Sequence, residues 1–401
     1  MGTIDLMKCD YDAAYEKFQK SLEIDKMIGD RAGEASTLHN LATIELKKGD
    51  HESARKKFET ILKIRRQIND RLGESSALHA LATIDLNQGD YEIAREKLEI
   101  VIKIRQHEGD RSGESSTWHQ LATIDMRKGD YYSALDEFEK SMQISLQIGD
   151  RTGVASALSG IASIDQYKGD YDSAKSNFEK AMRIVTQIGD LACEASILNN
   201  LATIDLNNGN YDLAREKLEK AMKIVQQIGD RVGEATILNS LAAIDMDKGN
   251  HILAREEFEK AIKIMQQISD RRGEASILIN LAQIDQIERK QYAALEKYKN
   301  ALKIMQQIGD RAGIAGAFIQ LGILAWNQGR MREGLQLVAL CCFMVASTGH
   351  GDALRDLEVL SSMASELGYN QEQLDALQKE VAEAYQKDRG QSLIDAAFPK
   401  G

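Results

Sequence analysis

Three histidines that could ligate a metal recur at a spacing of 40 residues. They are His39, His79 and His119, and each stands two residues before a Leu-Ala pair. Zinc needs its ligands about 2 Å from one centre, whereas packed helices lie about 8–10 Å apart. We therefore predict that the three histidines form a row, one in each repeat, and share no metal ion. We interpret them as partly packed residues that could contact a ligand.

A row of carboxylates follows the same spacing. Its members are Asp85, Asp125, Asp165, Asp205, Asp245 and Asp285, with Glu45 at the equivalent position of an earlier repeat. Each extends an apolar stripe, and a buried carboxylate requires a partner. The candidate partners are Arg55, Arg95, Arg215 and Arg255. We predict ion pairs between helices here, not an acid–base site.

No motif of a catalytic or cofactor site is present. The sequence lacks GxxxxGK[ST], a GxGxxG after a strand, HExxH and CxxC. The glycine-containing segment 109–113 recurs with the repeat and lacks a phosphate-binding lysine, which indicates a turn between helices. Cys341 and Cys342 lie in an apolar run, where free cysteines behave as small hydrophobic residues. We expect no catalytic residue, no metal and no cofactor, and therefore no enzyme.

The elements that position these side chains are pairs of helices. Leu38, Leu41 and Ala42 lie on one face of a helix that is predicted to run from Arg31 to Lys48. Ala54, Phe58 and Ile61 have the same spacing in the next helix. Gly-Asp or Gly-Asn recurs between the two helices of each pair, where glycine suits a left-handed helix end and aspartate caps the next helix. Since the loops are short, consecutive helices should be antiparallel neighbours.

Stacking such pairs produces an all-α solenoid, because one pair cannot bury its apolar face alone. The repeating unit resembles a tetratricopeptide repeat. One copy shows Leu198, Leu201, Ala202, Gly209-Asn210-Tyr211, Ala214, Leu218 and Ala221. The period of 40 is similar to the long-period subclass of kinesin-light-chain-type repeats. This resemblance covers roughly residues 1–345 and implies a right-handed superhelix of helical hairpins.

The resemblance also implies where a ligand would bind. In such adaptors the first helices line a concave groove, and asparagines just before the Leu-Ala pair bind a peptide main chain. The matching residues are Asn40, Asn200 and Asn280, with Gln120 a near match. Their neighbours are His39, His79, His119, Asn199 and Asn239. Side-chain amides can both donate and accept, which suits an extended backbone.

Composition limits the partners. The net charge of −11 argues against a general nucleic-acid binder, which needs a basic surface. No run of 18 apolar residues indicates a membrane span, and four irregularly spaced cysteines do not form a disulfide framework. We expect a cytoplasmic protein whose partner is a protein or peptide, not nucleic acid or membrane.

The predicted organisation has three parts. Residues 1–350 form about eight and a half repeats, residues 351–388 form acidic capping helices, and residues 389–401 form a tail. The favoured function is a non-catalytic scaffold or adaptor that binds a protein segment in its groove. Two alternatives are the sensor region of a larger signalling ATPase and a self-assembling structural protein. The apolar N-terminal edge, with Ile4 and Leu6, suggests a homodimer, and the apolar tail suggests docking onto a second copy.

Overall fold

The computed structural model describes residues 11–348 and 353–399, which form twenty helices and no strand. The helices are α1 (Tyr11–Ile28), α2 (Arg31–Lys47), α3 (His51–Gln67), α4 (Arg71–Gln88), α5 (Tyr91–Glu108), α6 (Arg111–Lys128), α7 (Tyr131–Ile148), α8 (Arg151–Tyr167), α9 (Tyr171–Ile188), α10 (Leu191–Asn207), α11 (Tyr211–Ile228), α12 (Arg231–Asp247), α13 (His251–Gln267), α14 (Arg271–Ile287), α15 (Gln291–Ile308), α16 (Arg311–Asn327), α17 (Met331–Thr348), α18 (Ala353–Glu366), α19 (Gln371–Asp388) and α20 (Gln391–Ala397). The predicted helix from Arg31 is confirmed to within one residue.

The chain divides into two compact units. Helices α1 to α9 belong to the first unit and α10 to α20 to the second. Two short segments are exceptions: Asp125–Tyr131 groups with the second unit and Ile268–Asp270 with the first. Within each unit, helices that follow one another pack as antiparallel pairs, and each pair packs on the next. The predicted fold class, an all-α solenoid of tetratricopeptide-like hairpins, is confirmed.

The turns between helices use the predicted capping chemistry. The Asp50 carboxylate accepts a hydrogen bond of 3.0 Å from the Ser53 backbone N–H, which satisfies one free donor at the start of α3. Gly89 ends α4 in the left-handed conformation with φ of 81°. Asn69 replaces glycine at the equivalent turn and has φ of 56°, as expected for the residue that tolerates this conformation best after glycine.

In the first unit, alternate large and small side chains fill the space between neighbouring hairpins. Phe58, Ile61 and Ile64 of α3 pack against Ala77 and Leu81 of α4, and all five are buried. The small side chain of Ala77 lets the two helices approach closely, while the larger side chains fill the space around it. This packing fixes which face of each first helix points away from the second helices.

In the second unit, the repeats and the C-terminal helices share the same packing principle. Ala214 and Leu218 of α11 pack with Leu241 and Ile244 of α12. Further along, Cys341 and Cys342 lie in a large apolar cluster with α16, α18 and α19, so the prediction that they are core residues is confirmed. The predicted capping box at the start of α19 is present, because Asn370 and Gln373 each accept from the other's backbone N–H.

The apolar segment near the C-terminus differs from our expectation. It forms α20, and Leu393, Ile394, Ala397 and Phe398 are buried in the same cluster. Arg330 Nη1 donates a hydrogen bond of 2.5 Å to the Ala397 carbonyl oxygen. Docking of this segment onto a second copy was therefore wrong, because its apolar side chains already pack within their own unit.

The proposed N-terminal dimer contact is only partly described. Ile4 and Leu6 lie outside the described residues, whereas α1 is described and exposes Ile24, Met27 and Ile28. None of the described helices is long and apolar enough to cross a membrane.

Candidate functional site

In the first unit, the three predicted histidines are half-buried against the second helices of their own hairpins. The His39 ring meets Phe58 edge to face at 5.3 Å between centroids, and the His119 ring meets Phe138 at 5.0 Å. Burial lowers the pKa of all three, that of His79 to about 4 with a smaller contribution from the Arg105 charge. The rings are therefore neutral near pH 7 and offer one donor and one acceptor each.

The amides of this unit differ in their partners. Gln120 Nε2 donates to Thr83 Oγ1 at 3.2 Å and so links two neighbouring first helices. Asn40 is half-buried, and its side chain makes no hydrogen bond with the described residues. Threonines four residues after the histidines bond back to their own helix, as Thr43 Oγ1 does to the His39 carbonyl oxygen at 2.9 Å.

In the second unit, the amides form bonds from one first helix to the next. Ser240 Oγ donates to Asn199 Oδ1 at 2.8 Å, and Asn280 Nδ2 donates to Asn239 Oδ1 at 2.7 Å. Both bonds join residues 41 positions apart, which shows that the equivalent faces of α10, α12 and α14 adjoin. Asn200 is half-buried, and no described residue hydrogen-bonds to its side chain.

We call these half-buried polar residues of the first helices the first-helix face. It comprises His39, Asn40, His79, His119 and Gln120 in the first unit, and Asn199, Asn200, Asn239, Ser240 and Asn280 in the second. All the predicted residues thus lie at equivalent positions of first helices. Sequence reasoning missed the bonds between repeats and left out Ser240, whose only signal was its position in the repeat.

The carboxylates of the row link helices to one another. At the best-defined members, an arginine and a lysine bind the same carboxylate. In the first unit, Asp85 is buried and accepts from Arg55 Nη2 at 2.6 Å and from Lys97 Nζ at 2.6 Å. Arg55 comes from the preceding hairpin and Lys97 from the same one. The carboxylate thereby joins three helices and has no free acid–base role.

The same arrangement recurs in the second unit. Asp285 accepts from Arg255 at 2.7 Å and from Lys297 at 2.5 Å, while Arg215 donates to Asp245 at 2.8 Å. Arg55, Arg215 and Arg255 therefore bind the carboxylate row, as predicted. Arg95 donates to Glu137 of a second helix at 2.9 Å. Sequence reasoning overlooked the lysines, which stand 12 residues after their aspartates.

A separate groove lies between the second helices α11 and α13, and residues of the first helix α12 also line it. Its volume is about 480 Å³, and Met222, Leu238, Leu241 and Ile264 form its apolar part. Arg231, Glu234, Lys260, Lys263, Gln226 and Gln267 form its rim. Arg231 Nη2 donates to Gln267 Oε1 at 3.2 Å across one end, which ties α12 to α13.

Metal and thiol chemistry find no support in the described part of the chain. Among residues 11–348 and 353–399, no three His, Cys, Asp or Glu side chains are placed to hold a metal ion. Burial raises the pKa of the Cys342 thiol to about 12 and that of Cys193 to about 11. Neither thiol is therefore an effective nucleophile near neutral pH, since the thiolate is the reactive form.

Comparison of the sequence with protein families agrees with this architecture. The tetratricopeptide repeat family matches residues 1–67, 33–107, 113–187, 193–245 and 233–307, which together cover well over half of the chain. The protein belongs to the tetratricopeptide repeat family. A comparison with curated protein sequences gives no significant match.

Several solved structures share the fold at low sequence identity. Aspartyl phosphate phosphatase F from Bacillus subtilis is 16% identical, with 72% of this chain and 75% of that chain aligned at a TM-score of 0.56. A Rap protein complexed with competence and sporulation factor is 13% identical over 73% and 86% of the two chains, with a TM-score of 0.57. The apo quorum sensor NprR from B. thuringiensis is 15% identical over 76% and 85%, with a TM-score of 0.53.

Proposed function

We propose that the protein is a non-catalytic interaction scaffold whose first-helix face binds a peptide or protein segment. The observation that carries this proposal is the state of Asn40 and Asn200. Both are half-buried on this face, and neither side chain hydrogen-bonds to a described residue. Both amides still reach water, and an incoming backbone would replace that water at the donor and at the acceptor of each amide.

The surroundings of each free amide favour a polypeptide ligand. Asn40 follows His39, whose ring is neutral, in the chain. Asn200 follows Asn199, whose side-chain oxygen Oδ1 already accepts a hydrogen bond from Ser240. Half-buried Leu46 and Leu206 lie six residues after these amides, less than two helical turns away. Each unit thus offers main-chain hydrogen bonding close to an apolar contact, a combination that suits a short segment with apolar anchors.

The comparisons support a polypeptide partner indirectly. One structure with this fold is a Rap protein in complex with competence and sporulation factor, and another is a quorum sensor. At 13–15% sequence identity, these structures show that the fold is shared and nothing more. The kind of partner is therefore inferred from the first-helix face of the present protein. The non-catalytic role and the cytoplasmic location belong to the same proposal.

Affinity capture with matched variants tests the proposal. The full chain is immobilised as wild type, as the double variant Asn40→Ala/Asn200→Ala, and as the control Glu219→Ala on the exposed face of α11. We expect a captured protein to be retained by the wild type and the control and lost from the double variant, at unchanged stability. Equal retention by all three proteins would remove the first-helix face as the binding surface.

A homodimer through α1 is a second candidate, favoured by one observation. Met27 of α1 is 84% exposed, and Ile24 and Ile28 beside it are also exposed, although Ile64 and Ile104, the repeat equivalents of Ile24, are buried. Burying this patch between two copies would remove apolar area from water. Light scattering should give a dimer for the wild type and a monomer for Ile24→Glu/Met27→Glu. A wild type that stays monomeric at high concentration would reject the dimer.

A further inference from the structure

The ion clusters of the carboxylate row share a layout from which several repeats depart. An arginine 30 residues before the aspartate and a lysine 12 residues after it both bind the carboxylate at Asp85 and at Asp285. At Asp165 the residue 12 positions later is Asn177, which still donates a hydrogen bond, at 2.9 Å. At Asp125 and at Asp245 the equivalent residues are Glu137 and Glu257, so a second carboxyl group replaces the donor. Glu137 accepts a hydrogen bond from Arg95 at 2.9 Å.

The surroundings of Asp245 and Glu257 provide too little positive charge for both carboxylates. Asp245 is only 2% exposed and accepts from Arg215 at 2.8 Å and from Asn250 Nδ2 at 3.3 Å. Glu257 is half-buried, and its Oε2 atom is shielded from water without a hydrogen-bond partner in the described structure.

The charged groups around Glu257 come from three helices. Asp245 of α12 acts on it from one side, while Arg215 of α11 and Lys260 of α13 itself oppose that effect. Asp285 of α14 and Glu288, which follows that helix, bind Arg255. Burial raises the pKa of Glu257 to about 7, and the nearby Asp245 charge contributes in the same direction.

We propose that Glu257 and Asp245 form a proton-dependent latch between α12 and α13. When Glu257 is protonated, its hydroxyl donates to the Asp245 carboxylate and closes the hairpin where the repeats at Asp85 and Asp285 use lysine. When the proton is lost, two carboxylates face each other with the Arg215 guanidinium bound to Asp245, and the α12–α13 pair is loosened. This hairpin is thereby sensitive to pH near neutrality.

The direction of the pH effect follows from linkage. The unfolded chain releases the Glu257 proton near the ordinary glutamate pKa of 4.5, whereas the folded protein keeps it up to about pH 7. Between these two pH values the folded form therefore binds more protons than the unfolded chain. The stabilisation is complete below about pH 4.5 and is lost as the pH rises through about 7. Hairpins with lysine at the equivalent position, such as α14–α15 with Lys297, have no such proton to lose.

Hydrogen–deuterium exchange of the full chain tests the latch. We expect the protection of α12 and α13 amides, corrected for intrinsic exchange rates, to fall about fivefold between pH 6 and pH 7 and about twofold more between pH 7 and pH 8 in the wild type. The variants Glu257→Gln and Glu257→Lys should hold their protection constant over this interval, and the α14–α15 hairpin serves as the internal control.

Two results would overturn the latch. One is wild-type protection of α12 and α13 that does not change with pH. The other is an equal fall in Glu257→Gln or in the α14–α15 control, which would assign the effect to groups other than Glu257. The lysine variant keeps the test decisive if the glutamine variant is poorly folded, because it reproduces the cluster seen at Asp85.

Discussion

Asn280 Nδ2 lies 2.7 Å from Asn239 Oδ1, so two residues that the sequence marks as ligand contacts bind each other across neighbouring repeats. The bond divides the predicted site residues into two groups. Asn239 and Asn280 help to hold α12 against α14, whereas the side chains of Asn40 and Asn200 hydrogen-bond to no described residue. The following experiments separate stabilisation from binding on this basis.

The variant Asn280→Ala should be less stable than the wild type. Removing its amide breaks the bond to Asn239, which we expect to cost about 0.5–1.5 kcal/mol in the free energy of unfolding. Asn200→Ala is the matched control, since no described residue bonds to its side chain, and it should leave the free energy of unfolding nearly unchanged. Urea unfolding measures both. Equal stability losses would show that the two amides do not differ in the way the structure indicates.

The variant Ala214→Glu should split the array. Ala214 is fully buried at 0% exposure, and the new carboxylate would have no partner there. We expect several kcal/mol of local destabilisation, protease cleavage near residues 205–235, and a melting curve with more than one transition. Leu213→Glu places the same charge one residue away, where the side chain is 51% exposed, and should melt like the wild type. A single sharp transition for Ala214→Glu near the wild-type temperature would refute the assigned packing.

The variant Phe398→Ala should destabilise the C-terminal cluster of the second unit. Phe398 is 7% exposed and packs with α16 and α17 residues in one apolar cluster. Truncating a buried phenylalanine to alanine typically costs about 3–5 kcal/mol. Gln391→Ala, on the exposed part of α20, controls for helix propensity. Denaturant unfolding that shows no difference between the two variants would mean that α20 is not docked in solution.

The first unit should lose stability in acid because of His79. Burial holds its pKa at about 4, below the ordinary histidine value of 6.5. The unfolded chain therefore binds a proton that the folded chain does not, and the stability falls as the pH drops from 6.5 towards 4, by roughly 1–3 kcal/mol. His79→Asn, which copies the residue at the equivalent Asn199, should flatten this dependence. If unfolding free energies of wild type and variant fall in parallel, His79 is not the responsible group.

Local patterns allowed most of the fold to be predicted. Helix ends follow from short-range chemistry, as at Asp50 with its cap on Ser53 and at Asn69 in the left-handed turn. Repeat positions also predicted the Arg55–Asp85 and Arg255–Asp285 ion pairs, because identical spacing brings identical pairs together.

Features that depend on contacts between distant residues were not predictable in this way. The tail segment containing Phe398 has no repeat equivalent, so nothing local indicated that it returns to pack beside Phe318. The bond between Asn239 and Asn280 depends on the distance between two first helices, which sequence spacing alone does not fix. The repeat positions of the first-helix face could therefore be predicted, while the amides that bond to other described residues could be identified only in the structure.

The most direct test of the proposed function is the affinity of a selected peptide. A random peptide library is panned against the full wild-type chain, and the dissociation constant of one enriched peptide is measured by calorimetry. We expect Asn200→Ala or Asn40→Ala, according to the unit that the peptide occupies, to weaken binding about 2–10-fold, as one lost hydrogen bond implies. Glu219→Ala should bind like the wild type. A peptide whose affinity is unchanged by both asparagine substitutions would contradict binding at the first-helix face.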